Sequence, residues 1–396
     1  MKGKVLLTVL LLCLCGHSCI YDYTPQVQEG REMLVVNGDI LIGEETYVRL
    51  THATTIGEAS LGNQLADAVY VESSDGVTYA GIPSKDNTYH IDTRKASISA
   101  EYRLVIEQGS KIYASDWAPV LEAPVIDSIS YSIAKDGLTM TVDVSTHADT
   151  GASAGNRHYR WLAREVWEYH AATRLNEIFV PAGGDYKGVI VPYDIWYQVD
   201  FYDWGNYYCW SSGEVTDLMV GKTDDLSENR LVRHALYKLN YHSTRTQYLY
   251  SVQLVQEAIT EEAWRYYEAV RRNSTDVGGL FSAQPSEMRG NIHNCDDAGE
   301  WVLGYVSVTR PSVMRRFIEM HRLMFHKLSE WDTPIEYLMT NKKLFLQHYQ
   351  QGYRVTRVQP NPPYEDLWYW TPRRCYDCRS IGGNKNKPEW WPNDHQ

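Results

Sequence analysis

Short apolar runs alternate with turn-forming residues through much of the chain, and this pattern constrains the fold more than any other feature. Ser74-Asp75-Gly76 and Gln108-Gly109-Ser110 each lie between two such runs. Side chains alternate between the two faces of a strand, and these turn residues favour hairpins. The segments that contain these runs and turns are 34–43, 46–56, 68–82, 88–92 and 101–117. They predict a β-sandwich over residues 32–122.

A second β module is expected beyond Ala118-Pro119 and Ala123-Pro124, because proline forces its predecessor into an extended conformation. Asp136-Gly137 lies between two alternating runs and predicts another hairpin. Residues 300–310 are expected to return as a strand to the sheet of this second module. The other expected strands are 125–133, 138–144, 158–169, 193–202, 207–220, 232–241 and 248–259.

One helix interrupts this strand pattern. Thr260 is a capping residue, two acids follow it, and the apolar residues then recur at helical spacing, which predicts a helix over about 261–272. Residues 312–351 fit helix and strand equally well, and the proline-rich tail from Pro360 predicts an extended, docked segment. The expected fold is mainly β: two consecutive immunoglobulin-like or transthyretin-like sandwiches, with the second spanning 123–396.

The N-terminus has the layout of an export signal. Lys2 and Lys4 precede an apolar run, and a small or polar stretch then leads to Cys19. A cysteine after small residues is typical of a bacterial lipobox, in which the thiol receives diacylglycerol. We expect residues 1–18 to be the signal peptide, Cys19 to be acylated and residues 19–31 to form a tether. A plain signal peptide cleaved elsewhere is the alternative.

Charge and composition exclude some partners. The formal net charge is −12, and the basic residues are scattered along the chain. Such a surface does not recruit nucleic acid or anionic headgroups, so membrane attachment is expected through the lipid alone. The acyl chain on Cys19 is therefore the expected membrane anchor.

Four cysteines remain after the signal and the anchor. An even number in an exported protein predicts disulfides, and three connectivities are possible. In one of them Cys375 and Cys378 close a short loop and Cys209 pairs with Cys295. No metal site is expected, because only one close cysteine pair has ligand-like spacing.

The sequence contains no convincing catalytic motif. No HExxH string, P-loop, dinucleotide fingerprint or EF-hand loop is present. Asp224-Asp225 and Asp296-Asp297 could bind calcium, although solvated turn acids are the commoner interpretation. We expect no cofactor and no enzymatic activity, with a surface hydrolase acting on peptide or glycan as an alternative.

Aromatic residues concentrate in one stretch. The chain has 30 Tyr and 13 Trp but only 6 Phe, and Tyr193, Trp196, Tyr197 and Trp204 lie in a run that continues to Trp210. Rings with a polar tip suit ligand or partner contacts. The same residues are also suited to packing between sheets, so the stretch is a candidate contact surface with core packing as the alternative.

Three segments together resemble a known family. LVVNGDI, the segment 281–308 and the ending 373–391, with the lipobox cysteine, are similar to the Bacteroidota lipoprotein family of domain of unknown function 4249. The resemblance covers almost the whole mature chain and favours pairing Cys209 with Cys295. It implies a lipoprotein anchored in the outer membrane, an accessory of a TonB-dependent transporter that assists ligand capture or import, with no catalytic residues to transfer. Surface lipoproteins of these bacteria often carry acidic residues after the lipid cysteine, and because only Asp22 is acidic there, the periplasmic or surface orientation is left open. A structural or adhesion role in the envelope is a further alternative.

Overall fold

The protein was analysed as a computed structural model. The structure describes residues 33–53, 65–148, 151–175, 177–181, 188–192, 206–275, 289–323 and 334–392. Within these ranges the fold is mainly β and contains several sheets. Among the described helices, none is long and apolar enough to cross a membrane.

The first part of the chain contains ten strands. They are β1 Met33–Asn37, β2 Ile40–Leu41, β3 Glu45–Ala53, β4 Ala68–Ser73, β5 Thr78–Pro83, β6 Thr88–Asp92, β7 Glu101–Gln108, β8 Lys111–Ser115, β9 Ala118–Pro119 and β10 Leu121–Glu122. The turns at 74–77 and 109–110 connect β4 to β5 and β7 to β8, so the two predicted hairpins are confirmed.

The middle of the chain contains nine strands and the long helix. They are β11 Ile126–Ile133, β12 Thr139–His147, β13 His158–His170, β14 Glu177–Pro181, β15 Gly188–Pro192, β16 Tyr208–Glu214, β17 Met219–Lys222, β18 Arg230–Asn240, β19 Leu249–Ile259 and α1 Glu261–Thr275. The Asp136-Gly137 turn joins β11 to β12 as predicted. The predicted helix is confirmed, and the Ala263 amide donates to Thr260 Oγ1 at its cap.

The last part mixes strands with short helices. These elements are β20 Ile292–Asn294, β21 Val302–Leu303, β22 Val308–Arg310, β23 Ser312–Glu319, β24 Tyr337–Met339, α2 Phe345–Gln350, β25 Arg354–Gln359, β26 Leu367–Thr371 and α3 Arg373–Tyr376. The ambiguous segment 312–351 thus contains both element types. Short 3-10 turns occur at Lys85–Asn87, Ala152–Gly155, Thr244–Thr246, Met320–Arg322, Lys342–Leu344 and Cys378–Ile381.

The largest sheet has the strand order β20-β8-β7-β4-β5-β6-β3-β1-β21, with β9 paired to β7. Its buried side chains form one cluster that includes Leu34 at one end of the sheet, Val71 in the middle and Tyr113 near the other end. The sheet therefore curves around a single apolar core. We call this sheet and its core the first unit.

Two further sheets, β11-β12-β18 and β16-β13-β19-β23, contribute side chains to a second core. Val142 from the first of these sheets and Trp161 and Leu254 from the second are all less than 2% exposed. Strand β17 pairs with β13 beyond the end of β16. We call these two sheets and their core the second unit.

The expectation that residues 300–310 return to the second unit is wrong. Strand β21 pairs in parallel with β1, and β22 pairs with β2 and β10, so this segment completes the first unit instead. Val302 and Val308 are buried in the first core. Gly304 permits this close crossing, because a Cβ built there would lie 2.2 Å from the carbonyl oxygen of Val36.

Candidate functional site

The sheet β16-β13-β19-β23 has two faces with different roles. Side chains alternate along a strand, so Trp161 of β13 enters the second core while Arg160 and Arg164 point to the opposite face. In the β13–β19 register Arg160 lies opposite Glu257 and Arg164 lies opposite Gln253. The face that carries these polar residues holds an ionic junction, a cleft and an aromatic cluster in succession along β13.

The ionic junction joins the two units through buried charges. Arg160 and Asp39 are 6% and 4% exposed, and Arg160 Nη1 donates to Asp39 Oδ2. The other oxygen of Asp39 accepts from the Ser307 amide at 2.7 Å. Arg160 Nη1 also donates to Tyr267 Oη at 3.0 Å, and the Tyr267 hydroxyl donates to the Tyr305 carbonyl. One guanidinium therefore connects β13, α1 and the first unit.

Glu257 is the member of this junction whose buried carboxylate has the weakest contacts to neighbouring donors. Its carboxylate is fully buried and lies 3.7 Å from Arg160 Nη1, and among the described contacts neither oxygen accepts a hydrogen bond. Burial raises the pKa of Glu257 to about 8, and the Asp39 charge adds to this rise while Arg160 opposes it. The proton on Glu257 is thus bound more tightly in the folded protein than in water.

We expect this junction to make stability depend on pH. Between about pH 4.5 and about pH 8 the folded state holds a proton on Glu257 that the unfolded state releases, so the free energy of unfolding should fall as the pH rises. The slope is at most about 1.4 kcal/mol per pH unit. Glu257→Gln should flatten the curve over this range in urea unfolding, whereas Glu262→Gln, on the exposed side of α1, should leave it unchanged. A Glu257→Gln curve as steep as that of the wild type would contradict this expectation.

The cleft lies beside the junction, between the two units, and has a volume of about 190 Å³. The Arg164 guanidinium lies 4.7 Å from the centre of the Tyr47 ring. The Tyr47 hydroxyl donates to Glu45 Oε2 at 2.6 Å, and burial together with this carboxylate raises the pKa of Tyr47. Glu44 and Gln253 line the same space. The cleft wall therefore presents charges of both signs.

The aromatic cluster lies at the far end of the same face. His170 packs against three tyrosine rings, with centroid distances of 5.1 Å to Tyr207, 4.8 Å to Tyr208 and 3.9 Å to Tyr248. Tyr248 in turn stacks on His321 at 4.6 Å. All five rings are half-buried. Tyr207 packs against the second core, and Tyr208 and Tyr248 pack against a small core that contains Trp210 and Trp391. We call these five residues the aromatic cluster.

A C-terminal strap supports this end of the sheet. The backbones of Trp210 and Asn384 exchange two hydrogen bonds of 2.9 Å. Trp391 is buried, and its indole N–H donates to Glu168 Oε2 at 2.7 Å, while Glu168 Oε1 contacts His170 Nε2 at 2.9 Å. The predicted docking of the tail is therefore confirmed for residues 378–392, and the strap holds Glu168 behind the cluster.

The disulfide pairing differs from the expected one. The structure joins Cys209 to Cys378, whereas Cys375 is a buried free thiol and Cys295 an exposed one. A loop from 375 to 378 and a Cys209–Cys295 bond are therefore not formed. The reason is the strap, which brings residues 378–384 onto β16. A Cβ on Gly383 would lie 2.7 Å from the Cβ of Cys209.

Several predicted residues lie outside the described residues. They are Cys19, Tyr193, Trp196, Tyr197 and Trp204. The end of the aromatic stretch is described. Trp210 packs in a small core with Trp391, and Tyr208 packs against that core, while Tyr207 packs against the second core. These two tyrosines also belong to the aromatic cluster.

The acidic pairs are engaged in local contacts. Asp224 lies 2.7 Å from His158, and Asp225 lies 2.8 Å from Lys222. The amides of Asp296 and Asp297 both donate to the side chain of Asn294. In the part of the chain that the structure describes, no group of three or more histidine, cysteine or acidic residues is arranged to hold a metal ion.

Sequence reasoning missed Asp39, Arg160, Arg164 and Glu257. A signal for them exists on β13, where Arg160, Arg164 and Glu168 lie on one face of the strand, and on β19, where Glu257 is the one charged residue of the strand. Such charges predict a face that meets another part of the protein. The sequence alone does not identify that partner, which for Arg160 is 121 residues away.

The structure defines a mainly-β protein with several sheets, and such a fold does not by itself define an activity. The family described as "Domain of unknown function (DUF4249)" matches residues 20–313. The chain belongs to this family.

Other known proteins add little. No curated protein matches the sequence. A solved structure of trypsin-activated alpha-2-macroglobulin from Escherichia coli is similar at 11% identity, over 58% of this chain and 15% of that chain, with a TM-score of 0.16. The chain thus spans about 15% of the length of that structure, and a likeness at this score supports no argument about fold or function.

Proposed function

We propose that this protein is a non-catalytic outer-membrane lipoprotein, anchored through Cys19, that assists a TonB-dependent transporter in capturing or importing a ligand. The observation that carries the proposal is the aromatic cluster. Two of its tyrosines, Tyr207 and Tyr208, continue the predicted contact stretch 193–204, and half-buried aromatic rings are typical anchors of protein interfaces.

Two immunoglobulin-like or transthyretin-like sandwiches form the proposed body. Two features support this architecture: the curved sheet with its own core, and the core shared by sheets β11-β12-β18 and β16-β13-β19-β23. The strap and the ionic junction would hold the body rigid. A tether of about a dozen residues, at most roughly 40 Å when extended, would keep it close to a partner in the membrane.

The environments of the buried acids support a non-catalytic role. Glu165 accepts from the Tyr250 hydroxyl, lies 3.2 Å from Arg245 Nε and is 1% exposed. Glu168 and Asp39 are likewise buried in contacts to neighbouring side chains. Each of these carboxylates is engaged in holding the fold together.

The proposal is tested by purifying the full-length protein from its native membranes in mild detergent. We expect a transporter barrel to copurify, and we expect Cys19→Ala, which removes the acylated thiol, to release the protein from the membrane fraction. Repeated recovery of the wild-type protein alone would contradict the partner. Membrane retention of the Cys19→Ala variant would contradict the anchor.

The aromatic cluster should contribute directly to this association. Tyr208→Ala should reduce the amount of copurified barrel by about tenfold, since a central aromatic anchor contributes on the order of 1–2 kcal/mol or more. Tyr364→Ala is the matched control, because Tyr364 is 76% exposed and lies outside the cluster. Thermal unfolding of both variants verifies that they are folded. Equal recovery with the two variants would exclude the cluster as the contact surface.

A further inference from the structure

The cleft between the units contains the guanidinium of Arg164, which packs on an aromatic ring. Arg164 rests on the Tyr47 ring, and its Nε lies 3.6 Å from Glu214, a side chain that is 76% exposed. Among the contacts of the described residues, the N–H groups of Arg164 donate no hydrogen bond within normal distance. A planar fork of donors, oriented by an aromatic ring, is the arrangement that binds a carboxylate on two atoms.

The neighbouring donors and acceptors of the cleft complete this arrangement. Gln253 Oε1 accepts from Arg315 Nη2 at 3.0 Å, which leaves the amide nitrogen of Gln253 as the group available to donate. Arg94 is committed to Asp92 through two hydrogen bonds of 2.8 Å. The carboxylate of Glu44 has no hydrogen bond or ion pair among the described contacts. The cleft therefore offers Arg164 and Gln253 as donors and Glu44 as an acceptor.

Charge and size together restrict the ligand. Glu44 and Glu45 disfavour a phosphate or another polyanion, and Arg164 disfavours a simple cation. A volume of about 190 Å³ corresponds to about six waters at roughly 30 Å³ each, or on the order of six to nine non-hydrogen atoms. Val255 and Val313 supply apolar surface on the same wall. A small molecule with one carboxylate, one ammonium and a short apolar group satisfies all three constraints.

We propose that this cleft binds a free α-amino acid, with its carboxylate on Arg164 and Gln253 and its ammonium on Glu44. This inference rests on the ligand-capture part of the proposed function and gives that ligand a chemical class. Because residues of both units line the cleft, an occupant would contact both of them.

Titration calorimetry of the full-length protein in mild detergent, with individual amino acids as probes, tests the proposal. At least one small amino acid should bind. Arg164→Met should weaken that binding about tenfold or more, because a bidentate charge-assisted contact is lost. The N-acetylated form of the same amino acid, which lacks the ammonium, should bind about tenfold more weakly as well. Arg265→Met, on the exposed side of α1, is the matched control and should bind as the wild type does.

Two results would contradict the amino-acid proposal. Absence of binding by any amino acid up to about 10 mM, or unchanged affinity in Arg164→Met, would overturn the proposal. If Arg164→Met does not fold, the Glu44→Gln variant tests the proposal instead, because Glu44 is exposed and its carboxylate has no hydrogen bond or ion pair among the described contacts. Copurification of the barrel without amino-acid binding would contradict only the proposed ligand class. Amino-acid binding without copurification would contradict only the proposed transporter partner.

Discussion

Replacing Arg160 with methionine should lower the free energy of unfolding by about 3–5 kcal/mol, because removal of one partner leaves a buried charge without compensation. Asp39 would keep only its hydrogen bond from the Ser307 amide. Tyr267 would lose the hydrogen bond that Arg160 donates to it and the guanidinium 4.4 Å above its ring. Urea unfolding followed by tryptophan fluorescence measures the loss. We expect this to be among the largest effects of any single substitution, because one side chain joins the two units.

The control for this prediction is Arg265→Met. Arg265 pairs with Glu261 on the surface of α1, where the side chains are 68% and 56% exposed. Exposed pairs contribute less than about 1 kcal/mol, so the control should unfold nearly as the wild type does. A loss of less than about 1 kcal/mol in Arg160→Met would show that the buried junction does not hold the units together.

Cys378→Ser should cause a loss of similar size. The Cys209–Cys378 bond closes a loop of 169 residues, and in the chain-entropy model a loop of this length stabilises the fold by about 5 kcal/mol. The substitution should also release the strap, because Asn384 and Trp391 reach the sheet through the segment that Cys378 anchors. Unfolding measurements and protease sensitivity of the C-terminal tail both report the change.

Cys295→Ser is the matched control for the disulfide. The Cys295 side chain is exposed and unpaired, so its replacement should change stability by less than about 0.5 kcal/mol. Peptide mapping under non-reducing conditions should yield one peptide pair joined through residues 209 and 378. A pair joined through 209 and 295, or a closed 375–378 loop, would contradict the observed connectivity.

Local features of the fold could be predicted from the sequence. The hairpin at Asp136-Gly137 and the helix after Thr260 depend on residues close together in the chain, and the structure confirms both. Turn and capping preferences act over a few residues, so they survive in many tertiary contexts. The abundance of strands could be predicted for the same reason.

Long-range pairing could not be predicted in the same way. Val302 and Val308 are suited to either core, and only the close crossing at Gly304 places their strands beside β1 and β2. The prediction of the cysteine pairing was wrong for a related reason. Short sequence spacing favours a loop closed by Cys375 and Cys378, but the docked strap brings Cys378 to Cys209. Such outcomes depend on which surfaces fit together, and a single sequence does not contain that information in local form.

The candidate site shows the same division. Its aromatic end could be anticipated, because Tyr207 and Tyr208 continue a dense run of aromatic residues. Its charged end could not, because Asp39 and Arg160 meet across the boundary between two units. Alternate charges along β13 indicate that such a face exists, but they do not indicate what covers it.

If the aromatic cluster faces a membrane-embedded partner, as we propose, site-specific photo-crosslinking in native membranes should capture that contact. A photoreactive phenylalanine analogue is placed at Tyr208 in one variant and at Tyr364, the exposed control position, in another. We predict a cross-linked species at position 208, identified by mass spectrometry as a TonB-dependent barrel, and none at position 364. Equal cross-linking at both positions, or no cross-link at position 208, would contradict the proposed function.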